Sequence, residues 1–140
     1  MIERAKVLII DDDFSVRRTL KSALLGTYEV LTAKDGEEGL ATARARWPDL
    51  IVVDVMMPRV DGYGVCRELR SDPLLRDIPV LILSTLSSLP RVSIGLDNGA
   101  DAYIGKPFDI KELRARVSQL ICLGRQRIHA ARRNTGGVML

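Results

Sequence analysis

The chain has 140 residues, 46% of them apolar and 28% charged, which suits one domain with a packed core and at most a short extension. No run approaches the roughly 18 uninterrupted apolar residues of a membrane span, and Met1-Ile2-Glu3-Arg4 leads straight toward a first strand without signal-peptide character. The net charge of +3 comes from the C-terminus: residues 125–140 hold Arg125, Arg127, Arg132 and Arg133 and no acid, so residues 1–124 carry −1 and basicity excludes nothing about their partners.

In chain order, apolar runs alternate with segments of helical period, the pattern of a parallel α/β sheet with helices on both faces. A strand is predicted over about 6–11, and a helix over about 14–25 with Val16, Leu20, Ala23 and Leu24 on one face and Gly26 beyond it. The second strand is predicted at about 28–33. Asp35 then precedes a helix, with Glu38 three residues on, and this helix stops near Arg46, before Trp47-Pro48. Trp47 is expected to plug the end of that helix against the sheet. The third strand, about 50–54, ends at Asp54, and Met57-Pro58 follows. A third helix over about 62–71 turns Val65 and Leu69 inward, and Asp72-Pro73 breaks it. A fourth strand at about 79–84 ends in Ser84-Thr85. A fourth helix is predicted from Pro90 to Asn98-Gly99, and a fifth strand over about 102–105 ends at Lys106-Pro107. A fifth helix follows Asp109, lined by Ile110, Leu113, Val117, Leu120 and Ile121. It either ends at Gly124 or runs on into the arginines. Cys66 and Cys122, far apart in sequence, read as free thiols of a reducing cytoplasm.

Parallel strands present their carboxyl ends on one edge, where ligands bind. That edge gathers Asp11, Asp12, Asp54, Ser84 and Lys106. Two carboxylates about 4 Å apart repel by about 4 kcal/mol at an effective dielectric near 20, so such a cluster holds protons or a cation. All-oxygen donors without His or Cys suit Mg²⁺ rather than zinc. Asp13 reads as a helix-start acid. Asp54 has the chemistry of a nucleophile that forms an aspartyl phosphate. Lys106 and the Ser84 hydroxyl then neutralise the transferred oxygens.

The segments VLIIDDDFSVRRTL, DLIVVDVMMPRVDGYGVCRELR, IPVLILST and GADAYIGKPFDIKEL resemble the receiver domain of bacterial two-component response regulators across about residues 5–123. The resemblance implies a flavodoxin-like (βα)5 fold: a doubly wound five-stranded parallel sheet of order 2-1-3-4-5. It implies Asp54 as phosphoacceptor, and Mg²⁺ held by Asp12, Asp54, the Met56 main-chain carbonyl and, mainly through metal-bound water, Asp11. It implies Lys106 as the phosphoryl-binding lysine with a cis bond to Pro107, and Ser84 and Tyr103 as the switch pair that reshapes the face of the fourth helix, fifth strand and fifth helix. The implied phosphodonor is a histidine kinase or histidine phosphotransfer protein, docked over Arg17, Arg18 and Lys21 of the first helix, in the cytoplasm.

Residues 1–124 are thus expected to form the receiver and 125–140 a basic tail or linker. The tail has three open readings: an extension of the fifth helix toward an output domain, a disordered terminus, or a contact with an anionic surface. Four arginines without aromatics give little nucleic-acid signal, and His129 reads as a surface residue. Thr85, Met56 and Leu86 depart from or vary within the family pattern. Because Met56 and Leu86 cannot orient water, slow self-dephosphorylation is expected. Ala102 replaces the second acid usual in winged-helix transcription-factor receivers, so a homodimer is possible but not favoured. An aspartyl phosphatase needs an acid where Met56 stands and a cap no segment is long enough to form. A receiver that no longer accepts phosphate is opposed by the intact acids and lysine, while a receiver cut from a hybrid kinase or larger effector stays open.

Overall fold

A computed structural model describes residues 3–85 and 99–139, with residues 132–139 by backbone alone. The elements are β1 (Lys6–Ile10), α1 (Phe14–Leu24), β2 (Glu29–Ala33), α2 (Gly36–Arg46), β3 (Leu50–Asp54), α3 (Gly62–Ser71), β4 (Val80–Thr85), β5 (Ala102–Lys106) and α4 (Ile110–Met139). The strands form one parallel sheet of order β2-β1-β3-β4-β5. The helix predicted from Pro90 to Asn98 lies outside the described residues.

Side chains alternate across a strand, and here both faces are covered. Leu8, Ile10, Ile51, Val53, Val80 and Ile82 pack with Leu40 and Ala43 of α2 and with Val65 and Leu69 of α3. Val7, Ile9, Leu50, Val52, Leu81 and Leu83 pack on the other face with Leu20 and Leu24 of α1 and with Leu113, Val117 and Leu120 of α4. Double burial is why the central strands read as continuous apolar runs rather than alternating ones.

Acids start the helices. The Asp13 carboxylate accepts from the amides of Ser15 and Val16, Asp35 from Glu38, and Asp61 from Gly64. Each satisfies an orphan helix amide. Trp47 corrects its expectation. It is 58% exposed rather than plugged against the sheet, while Pro48 beside it is buried. Trp47 is the left-handed cap of α2 (φ 47°), and its indole Nε1 donates back to the Arg44 carbonyl at 3.0 Å. The ring thus satisfies an orphan carbonyl of its own helix. Gly124 does not end the last helix, which continues to Met139.

The turn from β3 into α3 is built on Gly62. A Cβ there would lie 2.7 Å from the Asp54 carbonyl oxygen and 3.0 Å from the Val55 Cα, both backbone atoms with little room to yield. Gly62→Ala is therefore expected to lower unfolding free energy by about 1–3 kcal/mol, read from the denaturant midpoint; an unchanged midpoint would show that the turn relaxes freely.

Candidate functional site

The parallel sheet delivers its strand ends to one edge, and β1, β3 and β5 each bring a charge there. Asp11 follows β1 and is 1% exposed; Asp54 ends β3 and is 8% exposed. Asp12 is exposed beside them, and one carboxylate oxygen from each of the three acids lies within 4.8 Å of the others. Lys106, the last residue of β5, places its Nζ 3.4 Å from Asp11 Oδ2 and 3.4 Å from Asp54 Oδ1. The Lys106-Pro107 bond is cis. Ser84 is buried in β4, whose register sets Leu83 beside Asp54 and Ser84 beside Gly105.

The backbone fixes the acids. The Asp13 amide donates to Asp11 Oδ1 at 2.9 Å, and the Met56 amide donates to the Asp54 carboxylate. Arg17 Nη1 donates to the Asp11 carbonyl at 2.7 Å. Arg17 thus anchors the β1–α1 turn, a role absent from its reading as docking surface, and spacing alone gives no sign of it. Met56 itself sits in the loop after β3 with its side chain 61% exposed. Tyr103 is half-buried in β5, and its hydroxyl donates to the Thr85 carbonyl at 3.2 Å. His129 is exposed on α4. Both cysteines are free; burial pushes the Cys66 thiol up to about 12, and Cys122 is exposed.

Burial, above all, raises the carboxyl pKa of Asp11, against the lowering effects of the Asp13 amide and Lys106. Burial also raises that of Asp54, with Lys106 opposing it and the Asp11 charge adding to it. Among the described residues, the Lys106 ammonium lies against Asp11 and Asp54, with Asp12 beside them. Asp11, Asp12 and Asp54 form an oxygen-only group that could hold a divalent metal ion, and donors of this kind suit Mg²⁺.

Comparison with known proteins gives the family. The model of the response regulator receiver domain matches residues 7–118. The chain belongs to that family. It is 47% identical over 121 residues to the probable transcriptional regulator ycf27 of Cyanophora paradoxa, a match over 86% of this chain and 49% of that protein. It is 44% identical over 117 residues to the DNA-binding dual master transcriptional regulator RpaA of Synechocystis sp., over 83% of this chain and 50% of that one. The chain therefore spans about half the length of these relatives. Among solved structures, Vibrio cholerae chemotaxis protein CheY4 superposes with a TM-score of 0.79 at 34% identity, covering 84% of this chain and 98% of that one. The signal receiver domain of a histidine kinase from Syntrophus aciditrophicus gives a TM-score of 0.78 at 37% identity, covering 84% and 90%.

The raised acids have a measurable sign. With pKa values above the ordinary 3.8, the folded chain keeps protons that the unfolded chain has released. Stability of the divalent-free protein therefore falls as pH rises from the ordinary aspartate range through the raised values, and the loss is complete above them. In a chelator at neutral pH, Asp54→Asn is expected to unfold at a higher temperature than the parent. This advantage should fade as pH falls to the ordinary aspartate range. Calorimetry showing no advantage at neutral pH would contradict the raised values.

Proposed function

We propose that this receiver domain is a phosphorylation-controlled switch that takes a phosphoryl group onto Asp54. The carrying observation is the Lys106 ammonium held 3.4 Å from both the Asp54 and Asp11 carboxylates. An Asp54 oxygen attacks the phosphorus of a phosphohistidine on a histidine kinase or histidine phosphotransfer protein. The new O–P bond forms as the P–N bond breaks, and the leaving imidazole takes a proton. Charge on the equatorial oxygens is the main demand of such a transfer. Lys106 meets one oxygen and the Ser84 hydroxyl donates to another. Asp11, Asp12, Asp54 and the Met56 carbonyl would hold Mg²⁺, which when bound neutralises charge on the acids and on the transferred group.

The product adds about −1.5 to −2 charge and three acceptor oxygens. It binds Ser84 and Lys106 more strongly than the bare carboxylate does, and that differential contact is what shifts the population. Ser84 and Thr85 lie in register beside Gly105 and Lys106, and Tyr103 reaches the Thr85 carbonyl. Tyr103 therefore stands next to the group that moves. Met56 offers no group to orient an attacking water, which supports a long-lived phosphoryl group. The domain catalyses only its own phosphorylation and dephosphorylation, in the cytoplasm. The longer relatives, of which the match covers about half, are transcriptional regulators, which supports residues 1–124 as the input part, 125–140 as a linker, and a DNA-binding effector. The likeness to a receiver borne by a histidine kinase supports a second reading, as part of a hybrid kinase. DNA binding by the full gene product separates the two.

With acetyl phosphate and Mg²⁺, the intact mass should rise by one phosphoryl group, and Asp54→Asn or chelator should abolish the gain. Equal labelling of Asp54→Asn overturns the assignment. Lys106→Ala should slow labelling by about 10²–10³-fold, the scale for losing one preorganised charge donor. Once donor is removed, the phosphoryl group should persist for minutes or longer by mass spectrometry; loss within seconds contradicts the role given to Met56.

A further inference from the structure

At the opposite end of β4 and β5 from the acidic edge lies a second cluster of charge. Asp101 directly precedes β5, and its side chain is only 9% exposed. Its Oδ2 accepts from the Val80 amide, at the root of β4, at 2.9 Å. Arg70 of α3 donates Nη2 to the same oxygen at 2.9 Å, while its Nε and Nη1 bind the carbonyls of Gly99 and Ile78 at 2.9 and 2.7 Å. Arg127 of α4 grips the carboxylate with both Nη groups, Nη1 on Oδ2 at 3.2 Å and Nη2 on Oδ1. Asp77 adds negative charge beside both arginines. A buried carboxylate shared by two forked guanidiniums has directional bonds that one ammonium would not reproduce.

A second observation concerns the same stretch. Gly124 is buried in mid-helix, where glycine is a poorer helix former than alanine. A Cβ there would lie 2.7 Å from Pro79 Cδ. The glycine lets α4 lie flat on the residue preceding β4, one turn before Arg127. Together the close approach and the grip fasten α4 where it passes the sheet.

We propose that Arg127 is a positioning residue: with Gly124 it latches α4 to Asp101, so that the chain leaves the receiver as a rigid helical lever in a fixed direction rather than on a flexible tether. The latch uses no part of the acidic edge and stands apart from the phosphoryl reading.

The test uses the full chain without phosphodonor. Asp101 keeps Arg70 and the Val80 amide in Arg127→Gln, so the fold is retained. Amide exchange over residues 125–131 should accelerate at least about tenfold in Arg127→Gln, with β1 and β3 unchanged. Gly124→Ala should do the same despite its better helix propensity, and Arg127→Lys should fall between. Trp47, the only tryptophan, lines a cavity of about 330 Å³ together with Pro79, Gly124 and Ile128. Its quenching by acrylamide should therefore rise as α4 lifts. Unchanged exchange over 125–131 in Arg127→Gln overturns the latch. So does acceleration spread evenly through the strands, which would mark a general structural role. Slower exchange in Gly124→Ala would show that helix propensity, not close docking, governs the segment.

Discussion

One ammonium between two buried carboxylates organises the acidic edge. Lys106 reaches Asp11 and Asp54 at equal distance, so β1, β3 and β5 are tied together at their carboxyl ends across the intervening β4. Burial makes the arrangement costly, and among the described residues one ammonium sits beside three clustered acids. The divalent-ion binding and the phosphoryl acceptance proposed above would both draw on this one electrostatic feature.

Much of this was legible in the residues. Every described strand agrees with the reading, and the order is the one the resemblance implied; the central strands, covered on both faces, leave unbroken apolar runs, and the intervening helices have clear caps. The convergence of Asp11, Asp12, Asp54 and Lys106 follows from parallel topology: once the strands are placed, the ends share an edge whatever the side-chain detail. The DVMMPRVDG and GKPF segments then named the family. What did not show was contact between residues distant in sequence. Trp47 was misread because a large apolar ring suggests burial, whereas its left-handed cap conformation turns the indole back onto its own helix. Arg17 on the Asp11 carbonyl left no trace in spacing, since an arginine on a polar helix face looks like any solvated charge.

The arginine-rich end was the hardest to read. Composition counted Arg127 among four tail arginines, with nothing to distinguish it. Its partner Asp101 lies 26 positions upstream, and Asp101 is itself concealed in a motif whose lysine and proline draw attention. Gly124 looked equally like a stop or a passage. The deciding contact, Pro79 against its missing side chain, belongs to the tertiary fold. Helix ends signal locally; the reason a glycine is tolerated in mid-helix often does not.

The two thiols have a practical consequence. Cys66 is sealed in the core with its thiolate strongly disfavoured, whereas Cys122 stands in solvent on α4. A maleimide dye or nitroxide added to the native protein under mild conditions will therefore attach at Cys122 alone, with no mutagenesis. The chain thus comes with a built-in attachment point for distance measurements on the very helix that carries it away from the sheet.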